Sequence, residues 1–207
     1  IESRFGVGYF GQPMSASAAN LTDSYRHKGL RRELLGKLRA MGIADEAVLE
    51  AMDRVPRHYF MDDAFIHFAY DNKAFRIGAG QAISHPYTVA RQTELLALPK
   101  GSNVLEIGTG SGYQCAVLTA MGYKVHSIER QKALYDSTTP FLKKMGFRAH
   151  CYYGDGFKGK PVFAPFDGIL VTCGAPFIPE ALLGQLAIGG RLIIPLDDPN
   201  AGEGKQI

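Results

Sequence analysis

The chain has 207 residues, with 23 Lys and Arg against 20 Asp and Glu, which gives a formal net charge of +3 at pH 7. This excess of positive charge is too slight to indicate a nucleic-acid partner. Hydrophobic residues make up 46% and charged residues 21% of the chain, a composition that predicts a folded globular protein and excludes an intrinsically disordered one.

The apolar runs and the cysteines exclude further classes of protein. The longest apolar runs, at 168–171 and 192–196, fall short of the about 18 residues that a membrane-spanning helix needs, so we expect no membrane partner. The three cysteines, Cys115, Cys151 and Cys173, form no C-x-x-C pair, which predicts neither a disulfide framework nor a zinc site. We therefore expect no metal and a reducing, cytoplasmic location.

The first part of the chain is predicted to be a tail followed by helices. Residues 1–22 are rich in Gly, Ser, Ala and Asn without a sustained period, which indicates a tail or a loosely packed arm. From Tyr25 leucines recur with a helical period, and Gly42 is placed to end that helix. A second helix is expected from Asp45, a favourable N-cap residue, to Val55.

A long loop is predicted between these helices and the next one. Residues 71–86 hold few strand-like runs, and long loops in compact domains are usually functional. Pro86 suits the first position of a helix that we expect to end near Pro99. The loop therefore leads into a helix N-terminus.

Beyond Pro99 short apolar runs alternate with helical segments. The runs lie at 104–107, 125–128, 149–153, 169–172 and 192–195. This alternation predicts an α/β fold, a doubly wound, mainly parallel Rossmann-like sheet with helices on both faces. Pro140 is predicted to kink or split the helix expected over 131–145.

A glycine-rich turn follows the first of these runs. Gly108, Gly110 and Gly112 stand in a G-x-G-x-G spacing, and glycines there let backbone N–H groups approach a ligand at a helix N-terminus. Dinucleotide folds use a G-x-G-x-x-G spacing instead. A turn of this kind also occurs for packing reasons alone, so a structural role is the alternative.

Three acids accompany the turn. Glu129 ends the second run, where an α/β fold places an acid that accepts hydrogen bonds from ribose hydroxyls. Asp155, between Gly154 and Gly156, can accept from an exocyclic amine such as that of adenine, although an ordinary Asp-Gly turn is the alternative. Glu106 would favour a cationic ligand over a pyrophosphate by Coulomb attraction, which indicates S-adenosylmethionine rather than NAD.

Several segments together carry a family resemblance. They are Val55-Pro56-Arg57-His58-Tyr59-Phe60, the stretch from Ile77 to Pro86, the turn from Glu106 to Gly112, Gly154-Asp155-Gly156, and Ile178-Pro179-Glu180-Ala181-Leu182. In these segments the chain resembles protein-L-isoaspartate O-methyltransferases, from about Tyr25 to its end. The G-x-G-x-G turn is shared by many methyltransferases, whereas the stretches from Val55 to Phe60 and from Gln81 to Pro86 are specific to this family.

The resemblance implies a protein-repair enzyme. Its reaction would move a methyl group from S-adenosylmethionine to the free α-carboxylate of L-isoaspartyl residues in damaged proteins and peptides, leaving S-adenosyl-L-homocysteine. Ser84 would be the catalytic residue. The residues that the resemblance assigns to the cofactor are Gln81, Ala82, Ile83, Ser84, Glu106, Gly108, Thr109, Gly110, Gly112, Glu129, Arg130, Asp155 and Gly156.

The same resemblance predicts the domain organisation. Residues 23–207 form one predicted methyltransferase domain, in which 23–98 supply N-terminal helices and a substrate loop and 99–207 the cofactor-binding core. The chain ends soon after the fifth apolar run, where the family continues into further strands, so we expect truncated C-terminal strands or a different enclosure. We also expect a monomer.

The chain departs from the family at a few positions near the expected site. His85 stands where members often have a smaller or an amide residue, Ala82 where Thr is frequent, and Cys173-Gly174 where alanines are usual. These departures could change substrate preference close to the methyl donor.

The methyl transfer requires little of the protein beyond placing the acceptor carboxylate against the methyl group. The acceptor carboxylate has a reference pKa near 4 and is ionised at neutral pH, so no strong base is needed. Ser84 would donate a hydrogen bond to it, although capping of the helix at Pro86 is an alternative role. Two other functions stay open: methylation of a small molecule or RNA, and a non-catalytic cofactor-binding module.

Overall fold

The computed structural model describes residues 21–196, so nearly all of the tail predicted at the N-terminus lies outside the described residues. The helices are α1 Tyr25–Ala40, α2 Glu46–Arg54, α3 Pro86–Leu96, α4 Tyr113–Ala120, α5 Lys132–Lys144 and α6 Glu180–Leu183. The strands are β1 Phe75–Gly78, β2 Gln81–Ile83, β3 Asn103–Ile107, β4 Lys124–Glu129, β5 Ala149–Tyr153, β6 Phe166–Val171 and β7 Leu186–Ile193. None of the helices between residues 21 and 196 combines the length and the apolar character needed to cross a bilayer.

Five strands form a parallel sheet in the order β5-β4-β3-β6-β7. From β3 the chain winds outward through β4 to β5 and then returns to β6 on the other side of β3. The strand order therefore reverses between β3 and β6, and in open α/β sheets ligands bind at the carboxyl ends of the strands beside such a point. The predicted doubly wound, parallel sheet is confirmed.

Alternate residues of the strands face two hydrophobic clusters. Val104 and Val125 belong to the larger cluster, which also contains buried residues of α1 to α5. Leu105, Ile107 and Ile128 belong to the smaller cluster, which includes Leu182 of α6. Both faces of the sheet are therefore covered, as is usual for a parallel sheet.

The first two helices match the sequence prediction. The Ser24 hydroxyl caps α1 by accepting a hydrogen bond from the backbone N–H of His27, and Gly42 follows the helix with a φ of +97°. Asp45 caps α2, whose last residue precedes Val55. Local propensity and capping therefore decide this part of the fold.

The prediction of a long loop at 71–86 is wrong for part of that stretch. β1 and β2 form an antiparallel hairpin there, with Phe75 opposite Ile83. Ala79 and Gly80 occupy its turn with φ values of +49° and +69°, the positive range that two-residue hairpin turns favour. The turn has the sequence Ala-Gly, and alanine rarely takes such a φ. Because the chain has neither Asn-Gly nor Asp-Gly here, the usual signal of a hairpin turn is absent from the sequence.

Two other elements differ from their prediction. β7 begins at Leu186, well before the predicted run at 192–195. The first part of the strand was missed because Gly190 lies at an irregularity in the pairing with β6, where the apolar pattern is interrupted. A Cβ on Gly190 would lie 2.9 Å from the carbonyl oxygen of Ala187. α5 runs as one helix over Lys132–Lys144, so of the kink or split predicted at Pro140 the split does not occur, because the buried face of the helix holds it against the sheet.

The substitution Gly112→Ala tests how tightly the glycine turn packs against α5. A Cβ there would lie 2.8 Å from the Thr138 methyl carbon, and the residue has a φ of +85°. Overpacking and backbone strain together should lower the free energy of unfolding of Gly112→Ala by about 2–4 kcal/mol, measured by urea denaturation.

The matched control is Gly110→Ala. Gly110 has a φ of +54°, close to that of Ala79, and the nearest atom to its added Cβ lies at 3.8 Å. Its cost should be about 1 kcal/mol, from strain alone. Equal losses in the two variants would contradict the packing account.

Candidate active site

A cleft opens at the carboxyl ends of the central strands, beside the reversal of strand order. Residues from distant parts of the chain line it, at 81–84, 107–111, 113–114, 128–131, 155–157 and 172–174, together with Val89. Most of the residues that the sequence assigned to a site therefore border one cavity. Glu106 and Gly112 are absent from its lining.

Hydrogen bonds from the end of β6 hold the start of the glycine turn. The Thr172 hydroxyl donates to the carbonyl oxygens of Ile107 at 2.9 Å and Gly108 at 2.7 Å. A Cβ on Gly108 would lie 2.7 Å from that same hydroxyl, and Gly108 has a φ of +98°. Any larger residue would therefore push the turn away from β6.

The carboxylate of Glu129 joins the turn to the end of β4. The Gly110 N–H donates to one carboxylate oxygen and the Gln131 N–H to the other, each at 2.8 Å. The side chain borders the cleft and is only 4% exposed. Each carboxylate oxygen has a further lone pair, so the group can also accept from ligand hydroxyls.

Asp155 borders the cleft after the end of β5. Its Oδ1 accepts from the Phe157 N–H at 3.0 Å and caps a short 3-10 turn over Gly156–Lys158, so part of the turn alternative is correct. Its other oxygen accepts no hydrogen bond from residues 21–196 and can accept one from a ligand. A Cβ on Gly156 would lie 2.3 Å from a methyl carbon of Ile107, so only glycine lets this turn approach β3.

The structure does not place Glu106 at the cleft. Strand alternation turns its side chain to the opposite sheet face from Ile107, where it is wholly buried and accepts from the Ser127 hydroxyl at 2.5 Å. Burial raises its pKa to about 8, so the carboxyl is largely neutral at pH 7. Its expected attraction for a cationic ligand is therefore not available.

Other groups carry that electrostatic role. Glu129 and Asp155 border the cleft, and Arg130 is the cationic side chain among the described lining residues. Thr109 also borders the cleft, and its hydroxyl forms a hydrogen bond with the Ser127 hydroxyl at 2.6 Å. The cleft therefore favours a ligand with hydroxyl groups and positive charge over a pyrophosphate.

β2 and the residues that follow it bring Gln81, Ala82, Ile83 and Ser84 to the opposite wall. The N-cap of α3 is His85, whose side chain makes no capping bond, so the alternative of Ser84 as the helix cap is wrong. The Ser84 carbonyl oxygen accepts from Arg57 at 2.7 Å. Ser84 is half-buried, and its hydroxyl is not used in capping.

Gln114 is a cleft residue that the sequence reasoning missed. Its side-chain N–H donates to the Thr93 hydroxyl at 2.9 Å, while its carbonyl oxygen is buried with no partner between residues 21 and 196. An unpaired buried acceptor beside a cavity suits a donor on a ligand, such as an ammonium. Its place in the first turn after the glycines was the signal that could have identified it.

Comparison with a family model gives an independent result. The model described as protein-L-isoaspartate(D-aspartate) O-methyltransferase matches residues 29–206. The match includes the second wall of the cleft, at 81–84, as well as the glycine turn.

Curated relatives share about half of their residues with the chain. A protein-L-isoaspartate O-methyltransferase from Cytophaga hutchinsonii is 56% identical over 178 residues, covering 86% of this chain and 80% of the relative. Another, from Cronobacter sakazakii, is 52% identical over 166 residues, covering 80% of each.

Solved structures agree with the fold. One titled protein-L-isoaspartate O-methyltransferase has a TM-score of 0.74 at 30% identity, and the match covers 80% of this chain and 55% of that one. A Plasmodium falciparum structure of the same enzyme class, holding S-adenosyl-L-homocysteine, has a TM-score of 0.70 at 26% identity, with 84% and 85% covered.

Glu106 predicts a pH dependence of stability. Its folded pKa of about 8 lies above the ordinary value of 4.5, so the stability from the buried neutral carboxyl is complete below pH 4.5 and is lost as pH rises toward 8. Between pH 5 and 8 the wild type should lose roughly 2–4 kcal/mol more unfolding free energy than Glu106→Gln, measured by urea denaturation. Parallel pH profiles for the two proteins would contradict the assignment.

Proposed function

Because the chain belongs to the protein-L-isoaspartate(D-aspartate) O-methyltransferase family, we propose that it methylates the free α-carboxylate of L-isoaspartyl residues in damaged proteins and peptides. One observation carries the proposal. A segment specific to the family, at 81–86, contributes its residues 81–84 to one wall of the cleft whose other walls include the glycine turn and Glu129. Substrate-side and cofactor-side residues therefore share one cavity.

The residues of the cleft fit S-adenosylmethionine. When bound, this cofactor supplies a methyl group on a positively charged sulfur and leaves S-adenosyl-L-homocysteine as the product. The Glu129 carboxylate can accept from ribose hydroxyls, and the unpaired carbonyl oxygen of Gln114 can accept from an ammonium. The second oxygen of Asp155 is suited to the adenine amine.

The protein's contribution to the reaction is the orientation of the acceptor. An isoaspartyl α-carboxylate is ionised at neutral pH and needs no base to remove a proton. We assign to the Ser84 hydroxyl a hydrogen bond that fixes the direction of one carboxylate oxygen. Orientation of this kind can supply roughly 7–11 kcal/mol of the barrier reduction.

We extend the proposal to organisation and location. Residues 23–98 supply the substrate side of the cleft, and the segments from residue 99 onward supply the cofactor side. The near-balanced charge supports peptide substrates rather than nucleic acid or membrane partners, and we propose a monomer. Three cysteines in the free thiol state support a cytoplasmic location.

Transfer of labelled methyl from S-adenosylmethionine tests the proposed function. The acceptor is an isoaspartyl peptide, and the control is the same peptide with a normal aspartyl linkage. Label only in the isoaspartyl peptide supports protein repair. Cofactor binding without transfer to it would contradict the proposal and favour a binding module or another acceptor.

Ser84→Ala tests the role of the hydroxyl. Loss of one charge-assisted hydrogen bond to the acceptor should lower kcat by about 10- to 100-fold. The affinity for S-adenosyl-L-homocysteine, measured by calorimetry, should stay within about twofold because the substituted hydroxyl is assigned to the acceptor. A parallel loss of cofactor affinity and turnover would remove this assignment.

A further inference from the structure

Arg57 is a buried cation without an acidic partner. It begins the 3-10 turn Arg57–Phe60 just after α2 and has no exposed surface. No carboxylate between residues 21 and 196 forms an ion pair with it, and the titratable groups that act on it are the phenols of Tyr70 and Tyr113, which are neutral at pH 7 because burial raises their pKa. Burial lowers its pKa to about 10, so the guanidinium is still protonated at neutral pH.

The contacts of this guanidinium point toward the cleft. Nη2 donates to the Ser84 carbonyl oxygen at 2.7 Å and to that of Lys73 at 3.3 Å. The guanidinium carbon lies 4.9 Å from the centre of the Tyr113 ring. Ser84 and Tyr113 both border the cleft. Nε and Nη1 have no hydrogen-bond partner in the described part of the chain.

Such a group is costly for stability. A buried ion with neither a counter-charge nor a full set of hydrogen bonds loses solvation that its surroundings do not replace. Arginine is almost never fully buried unless it is paired. The missing negative charge therefore has a natural source in the ligand that occupies the neighbouring cleft.

We propose that Arg57 is a positioning residue for the acceptor carboxylate, an inference that rests on the proposed methylation of isoaspartyl residues. Its hydrogen bond fixes the peptide group between Ser84 and His85, and with it the direction of the Ser84 side chain. Because a trans peptide is planar, the His85 N–H points opposite to the Ser84 carbonyl and therefore away from Arg57. The buried charge makes this end of the cleft selective for an anion.

The charge and the geometry of Arg57 affect different kinetic constants. In the reaction a carboxylate oxygen bonds to the methyl carbon while the carbon–sulfur bond breaks and its electron pair stays on sulfur. The acceptor loses its negative charge along this path. A nearby cation therefore stabilises the bound carboxylate more than the transition state, which lowers KM without raising kcat. The hydrogen bond that orients Ser84 acts on kcat.

Arg57→Met and Arg57→Lys separate the two effects. In Arg57→Met the charge is lost, and KM for an isoaspartyl peptide should rise by about tenfold or more. In Arg57→Lys the charge remains while the planar fork is lost, so KM should stay within about threefold while kcat falls. Affinity for S-adenosyl-L-homocysteine should stay within about twofold in both variants. The matched control is Arg54→Met, which removes an exposed arginine from the same region and should leave both constants unchanged.

Several outcomes would overturn the inference. If Arg57→Met has the wild-type KM, the role of Arg57 is only structural. The same conclusion follows if the cofactor affinity of Arg57→Met falls in parallel with its affinity for the peptide. If Arg57→Met does not fold, Arg57→Lys decides, because a steep rise of KM despite retained charge contradicts the electrostatic role. An inactive wild type overturns the proposed function and this inference together, whereas an active wild type with unchanged variants overturns the inference alone.

Discussion

The cleft depends on one carboxylate held between two backbone N–H groups. Glu129 accepts from Gly110 and Gln131 and so ties the turn after β3 to the turn after β4. From the other side, Thr172 ties the same glycine turn to the end of β6. Three neighbouring strand ends are thereby fixed around one loop, and backbone donors and acceptors that would otherwise need water are satisfied within the protein. The rigid frame lets the remaining lone pairs of Glu129 face a ligand at low cost in reorganisation.

Two buried ionisable groups near this frame behave in opposite ways. Glu106 has a neighbouring hydroxyl but no cationic partner in the described part of the chain, so burial raises its pKa and it can take up a proton and lose its charge at neutral pH. Arg57 cannot shed its charge in the same range, because even a lowered pKa of about 10 keeps it protonated. The result is an asymmetric cleft, with Glu129 and Asp155 beside Arg130 on the side of the glycine turn and a buried positive charge behind Ser84. That asymmetry matches a reaction between a cationic donor and an anionic acceptor.

Local sequence signals predicted much of this arrangement. Capping residues and helical periodicity located α1 and α2, and the sheet followed from alternating apolar runs, because both depend on neighbours in the chain. The hairpin of β1 and β2 was missed because Ala79 takes a φ that alanine seldom adopts. Glu106 was wrongly predicted to face the ligand, and Gln114 was not predicted as a cleft residue, for a different reason. Their environments are set by Ser127 and Thr93, partners distant in sequence that only the folded chain brings close.

Calorimetric titration of Glu129→Gln with S-adenosyl-L-homocysteine tests the central claim that this side chain both anchors the turn and receives the cofactor. An amide has one acceptor oxygen, so it cannot accept from both backbone N–H groups and also from ribose hydroxyls. We expect binding at least about tenfold weaker than in the wild type, in a variant that still unfolds cooperatively. Wild-type affinity in this variant would contradict the claim.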